Sequence, residues 1–108
     1  MGVYIIKSKH CNWYKIGHHK ITSRRPTIFH RYIRRGFYSC ICPQEIENKV
    51  GFQDIELLYW FPNLDVCHER SIQVELKKTY ESCGEWFKDL KIDQIASMIT
   101  IKHKGILE

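Results

Sequence analysis

Two short β-type segments stand almost back to back at the start of the chain. Val3 to Ser8 and Trp13 to His18 are rich in β-branched and aromatic residues, and only Lys9-His10-Cys11-Asn12 separates them. A polar break this short joins neighbouring strands as an antiparallel hairpin. Gly17 closes the second strand.

The rest of the chain alternates helical and extended signals. Pro26 suits a first helical position, Ile28, Phe29, Tyr32 and Ile33 repeat at helical spacing, and Gly36 stops the run behind Arg34-Arg35. Phe37 to Cys42 reads as a strand and Pro43 to Val50 as a turn or short helix. Ile55 to Phe61 reads as a buried strand ended by Pro62-Asn63. Asp65 caps a helix from Val66 to about Tyr80, with Gly84 behind it. Glu85-Trp86-Phe87 is a short extended piece, and Asp93 to Lys102 is a final helix. This order predicts one domain over residues 1–108. Its class is α+β, with a small, mostly antiparallel three-stranded sheet flanked by helices.

Composition excludes several classes. A hydrophobic fraction of 44% with 13% aromatics supports a modest core, so the chain is not a disordered one. The longest apolar run, Leu57 to Pro62, is far short of the roughly 20 residues that span a bilayer, so no membrane partner is expected. The N-terminal stretch lacks a basic leader and a small-residue cleavage site, and no signal peptide is expected. Five cysteines at positions 11, 40, 42, 67 and 83 are odd in number and irregular in spacing. Reduced thiols, and hence a cytoplasmic or nuclear compartment, are the expectation. Cys40-x-Cys42 and Cys67-His68 do not match zinc-ligand spacing, which leaves a zinc-stabilised interaction domain as a third-ranked reading.

Charge is strongly segregated. Residues 1–44 hold nine Lys or Arg and no acid, whereas residues 45–108 hold eight against twelve Asp or Glu. With Trp13, Tyr14, Phe29, Tyr32, Phe37 and Tyr38 interleaved, the basic half suits a polyanion, most simply nucleic acid. The alternative is a solvated basic face without a partner.

One residue contradicts its surroundings. The helix after Asp65 carries an apolar stripe of Val66, Ile72, Leu76 and Tyr80, and Glu69 sits on it, one turn from Val66 and Ile72. A buried carboxylate needs a partner. Either an arginine from the basic half pairs with it, or it ligates a metal ion.

Gly2-Val3-Tyr4, followed ten residues on by Tyr14-Lys15-Ile16-Gly17, resembles the paired signature of the GIY-YIG nuclease superfamily. Glu69-x-x-Ile72 and Gly84-Glu85-Trp86-Phe87 resemble its short branch from phages, large DNA viruses and bacteria, which carries a C-terminal Glu-Trp-Phe motif. The second motif reads Tyr-Lys-Ile-Gly rather than Tyr-Ile-Gly, and the late asparagine of other relatives has no clear equivalent.

The resemblance implies a metal-dependent endonuclease that hydrolyses DNA phosphodiester bonds. Tyr4 and Tyr14 would both face the active-site cleft, Tyr4 as base and Tyr14 orienting water or phosphate. Arg25 would stabilise transition-state charge, with Arg24 and Arg31 as alternatives. His18 or His19 would shuttle a proton. Glu69 would hold Mg²⁺, for which Mn²⁺ could substitute. Lys15, Lys20, Arg24, Arg31, Arg34 and Arg35 would bind the nucleic-acid backbone. With no room for a targeting domain, specificity is expected to need a homodimer or a targeting partner protein. The reading from a different class is a non-catalytic nucleic-acid-binding module on the same fold.

Overall fold

The computed structural model describes residues 2–19, 42–46 and 54–107. In chain order these form β1 (Gly2–Ser8), β2 (Trp13–His19), a 3-10 turn (Gln44–Ile46), β3 (Ile55–Phe61), α1 (Val66–Lys77), β4 (Ser82–Cys83), β5 (Trp86–Lys88) and α2 (Ile92–Lys102). The α+β class is as expected, but the sheet is larger. It has five strands in the order β3-β1-β2-β5-β4, with every pairing antiparallel.

The two added strands correct the three-stranded expectation. β5 pairs with β2 through Trp13–Lys88, Tyr14–Phe87 and Lys15–Trp86, and β4 closes the edge through Cys83–Trp86 and Ser82–Phe87. Strands of three and two residues are too short to show a period. Their turn is Gly84-Glu85, in which Gly84 holds a φ of 61°, the left-handed region that two-residue hairpins require of their first central residue.

β1 and β2 form the expected hairpin, with Tyr4 opposite Gly17, Ile5 opposite Ile16 and Lys7 opposite Tyr14. The alternation of strand side chains divides the residues between two faces. Val3, Ile5, Ile16, Phe61 and Phe87 pack with Ile72 and Leu76 of α1 and Ile95 and Ile99 of α2. Tyr4, Ile6, Trp13, Ile55, Trp60 and Trp86 gather with Ile46 on the opposite face. A register shift between Ile5 and Ile6 puts a bulge in β3, so Ile55, Leu57 and Trp60 all share the second face.

Asp65 caps α1 as its sequence position predicts. Its carboxylate accepts from the backbone N–H groups of Cys67 (2.9 Å) and His68 (3.2 Å), while the Asp65 N–H donates to Nδ1 of His68 (3.2 Å). That is a capping box with histidine in the place of the usual Glu or Gln. The helix ends at Lys77, three residues short of the expected Tyr80, in a turn where Thr79 and Tyr80 both donate to the Leu76 carbonyl. The expected helix near residues 26–35 and strand at 37–42 lie outside the described residues, apart from Cys42. No helix among the described residues is long and apolar enough to cross a membrane.

Phe87 belongs to a strand of three residues and is fully buried on the helical face, whereas Ile101 of α2 is 79% exposed. Truncating Phe87 to Ala should cost about 3–5 kcal/mol. Ile101→Ala should stay within about 0.5 kcal/mol of the parent. Urea denaturation of both variants measures the contrast.

Candidate active site

Ile16 assembles the site. Within an extended strand, a residue's N–H and C=O point to the same edge. For Ile16 that edge is the one where β5 has already ended. Its N–H donates to the Glu85 carbonyl at 3.2 Å, and its carbonyl accepts from Nε2 of the buried Gln73 at 2.7 Å. The first bond docks the Gly84-Glu85 turn on β2. The second docks α1, and Glu69 lies one helical turn before Gln73 on the same face.

Gly17, next in the strand, leaves the space that Tyr4 fills. A Cβ there would overlap the Tyr4 hydroxyl oxygen and ring, so the cross-strand pair works only with glycine. Two residues back and on the same face is Lys15. Its ammonium donates to the Tyr4 hydroxyl at 3.3 Å, lies 5.7 Å from the ring centroid, and is 3.5 Å from Oε2 of Glu85. Lys15 as a whole is only 3% exposed. Lys15, expected to bind the nucleic-acid backbone, is thus buried on the face that Trp13, Gly17 and Tyr4 share.

Glu69 is 3% exposed, as its position on the apolar stripe predicts. Among the described residues its partner is a histidine: Nδ1 of His18 lies 2.9 Å from Glu69 Oε2. With Glu69 ionised, His18 Nδ1–H is the donor. Burial pushes the Glu69 carboxyl above its ordinary value of 4.5. The hydrogen bond and charge of His18 pull it partly back, the charge of Glu85 raises it further, and that of Lys15 opposes. Tyr4, Lys15 and Glu85 thus meet on one face of β2 and Glu69 and His18 on the other, and the charges of Lys15 and Glu85 reach Glu69 across the strand.

Tyr14 does not share the Tyr4 face. It stands three residues from Gly17, an odd number, so strand alternation turns it to the face opposite Tyr4. There it packs against the helical core beneath the Lys7 ammonium, 5.7 Å from its ring centroid. Burial raises its hydroxyl above the ordinary value of 10.0, and the charges of Asp89 and Glu56 add to the rise, which makes it a poor base. His18, opposite Val3, lies on that same helical face. Lys20, Arg24, Arg25, Arg31, Arg34 and Arg35 lie outside the described residues.

For a metal ion, Glu69 offers hard oxygen. Its Oε1 makes no hydrogen bond among the described residues, and a hydrated Mg²⁺ that keeps most of its waters needs one or two carboxylates. The donor set is compatible with such an ion. Among the described residues no group of three or more His, Cys, Asp or Glu is placed to hold a metal ion of any kind. Cys11, Cys42, Cys67 and Cys83 are in no disulfide.

The pH dependence of the Glu69 contribution follows from its raised value. The protonated form is favoured on folding, so this stability is fully present below 4.5 and is lost as pH rises through the higher folded value. Measured in EDTA, Glu69→Gln should match or exceed the parent in stability at pH 7. Its advantage should shrink as pH falls through the raised folded value towards 4.5 and level off below that. Thermal melts of both proteins across that range check the sign.

No family model, curated protein or solved structure matches the chain, so the interpretation of this group rests on its own geometry.

Proposed function

We propose that the chain is a metal-dependent endonuclease hydrolysing DNA phosphodiester bonds. One observation carries the reading: two buried charged side chains, Lys15 against the Tyr4 hydroxyl and Glu69 beside His18, flank β2 at Gly17 within electrostatic reach of each other. A purely structural core would hold apolar side chains at these positions, since burying charge is costly even when it is paired.

In hydrolysis a water oxygen bonds to phosphorus, the bridging P–O bond breaks, and the proton lost by the water needs an acceptor. Tyr4 is that acceptor. A phenol is a weak base at its ordinary value near 10, and the Lys15 ammonium donating to its oxygen favours the phenolate. The proton then passes from Tyr4 to solvent, and solvent protonates the departing oxygen. Glu69 would hold the Mg²⁺ or Mn²⁺ ion, which when bound supplies positive charge to the phosphate oxygens. His18 orients the Glu69 carboxylate through Nδ1. Arg25, with Arg24 and Arg31 as alternatives, is the cation proposed to meet the developing charge on the phosphoryl group. Lys20, Arg34 and Arg35 extend the contact along the backbone.

The segregated charge supports a second reading as well. Nine cations without an acid in residues 1–44 would serve a non-catalytic nucleic-acid-binding module equally well.

Supercoiled plasmid incubated with Mg²⁺, Mn²⁺ or EDTA separates the two. The nuclease nicks it with either ion and not in EDTA. Tyr4→Phe should slow nicking by about 10²-fold or more, and Glu69→Gln should abolish it with DNA binding kept or tightened. Salt-sensitive binding by the parent without nicking under any ion would establish the module instead.

A further inference from the structure

We infer that Glu85 is a positioning residue that keeps the Lys15 side chain charged and seated against the Tyr4 hydroxyl. Its catalytic meaning rests on the hydrolase reading above; its physical content does not.

Lys15 is almost wholly buried, and a buried ammonium persists only beside a counter-charge. The groups that face it come from three elements: Tyr4 from β1, Glu85 from the β4–β5 turn, and Glu69 from α1 at longer range. His18, on the same strand, points to the other face. Glu69 has His18 as its ion-pair partner. Among the described residues, Glu85 is the carboxylate in direct contact with it, at 3.5 Å.

The placement of Glu85 is built into the backbone. The left-handed Gly84 fixes a two-residue turn, and the Glu85 carbonyl is held by the Ile16 N–H, the residue that follows Lys15. The side chain is therefore anchored beside its partner from both directions. A carboxylate whose only task was hairpin formation would not need to reach inward, since the turn chemistry is supplied by Gly84. With its side chain 44% exposed, Glu85 can carry its own charge in water while compensating a cation that cannot.

The test is an NMR titration of the Lys15 side chain, by its Cε and Nζ signals, in the full chain without metal. In Glu85→Gln the ammonium should lose its proton about one pH unit or more below the parent, and in Glu85→Asp it should titrate close to the parent. Glu69→Gln should move it less than Glu85→Gln does. In the nicking assay, the alkaline limb of the rate profile should shift with the Lys15 titration. An unmoved Lys15 titration in Glu85→Gln overturns the inference, as does a larger shift in Glu69→Gln. Because the titration needs no turnover, a parent that never nicks DNA would sink the hydrolase reading and leave this one standing. Should Glu85→Gln not fold, Glu85→Asp and Glu69→Gln still decide between the two carboxylates through the size of their respective shifts.

Discussion

The peptide groups of Ile16 are the constraint on which the site depends. Most residues in a sheet exchange their hydrogen bonds with another strand. Ile16 instead donates to the Glu85 carbonyl and accepts from the Gln73 side chain, at 3.2 and 2.7 Å. Its side chain meanwhile is fully buried in the helical core. One residue thus fixes a helix, a turn and a strand relative to one another. A buried donor or acceptor left without a partner costs about 1–3 kcal/mol, so neither attachment is released without penalty. Glu69 and Glu85 occupy their positions as a consequence of these two bonds.

Sheet alternation then decides which side chains meet. Tyr4 opposite Gly17 makes Lys15 its same-face neighbour and sends Tyr14 away. A glycine at position 17 is required on steric grounds, since any Cβ would displace the Tyr4 hydroxyl. The aromatic face on which Tyr4 lies, with Trp13, Trp60 and Trp86, surrounds the Lys15–Tyr4 contact with low-polarity material. In such surroundings the ammonium acts on the phenol more strongly than it would in water.

Much of this was legible in the residues. The hairpin followed from two β-type runs four residues apart, the helix from its Asp65 cap and stripe, and the burial of Glu69 from its place on that stripe. β4 and β5 were not legible as sheet strands, because two or three residues carry no period and their pairing with β2 is long-range. The mistaken orientation of Tyr14 had a different origin. Both tyrosines were placed on strands, but the face each presents depends on register, which local pattern does not supply. A signal for Lys15 was nevertheless present. Once Gly17 is set against Tyr4, counting back by two reaches Lys15 and counting by three reaches Tyr14. The histidine partner of Glu69 was less accessible, since it pairs residues 51 positions apart across two elements.

The hinge-like dependence on Ile16 has a consequence for how this protein loosens. Proteins open locally in cooperative units well before they unfold globally, and short peripheral strands belong to the weaker units. The β4–β5 ribbon is such a unit, held to β2 by three residue pairs and the Ile16 amide. When it lifts, Phe87 and Trp86 leave the two cores, the remaining contacts among β1, β2, β3 and the helices stay in place, and Lys15 loses the carboxylate beside it. The Lys15–Glu85 contact can therefore be lost in a partly opened molecule whose β1–β2–β3 sheet and helices remain assembled. Exchange of a single amide proton, that of Ile16, would count the fraction of molecules in which it is intact.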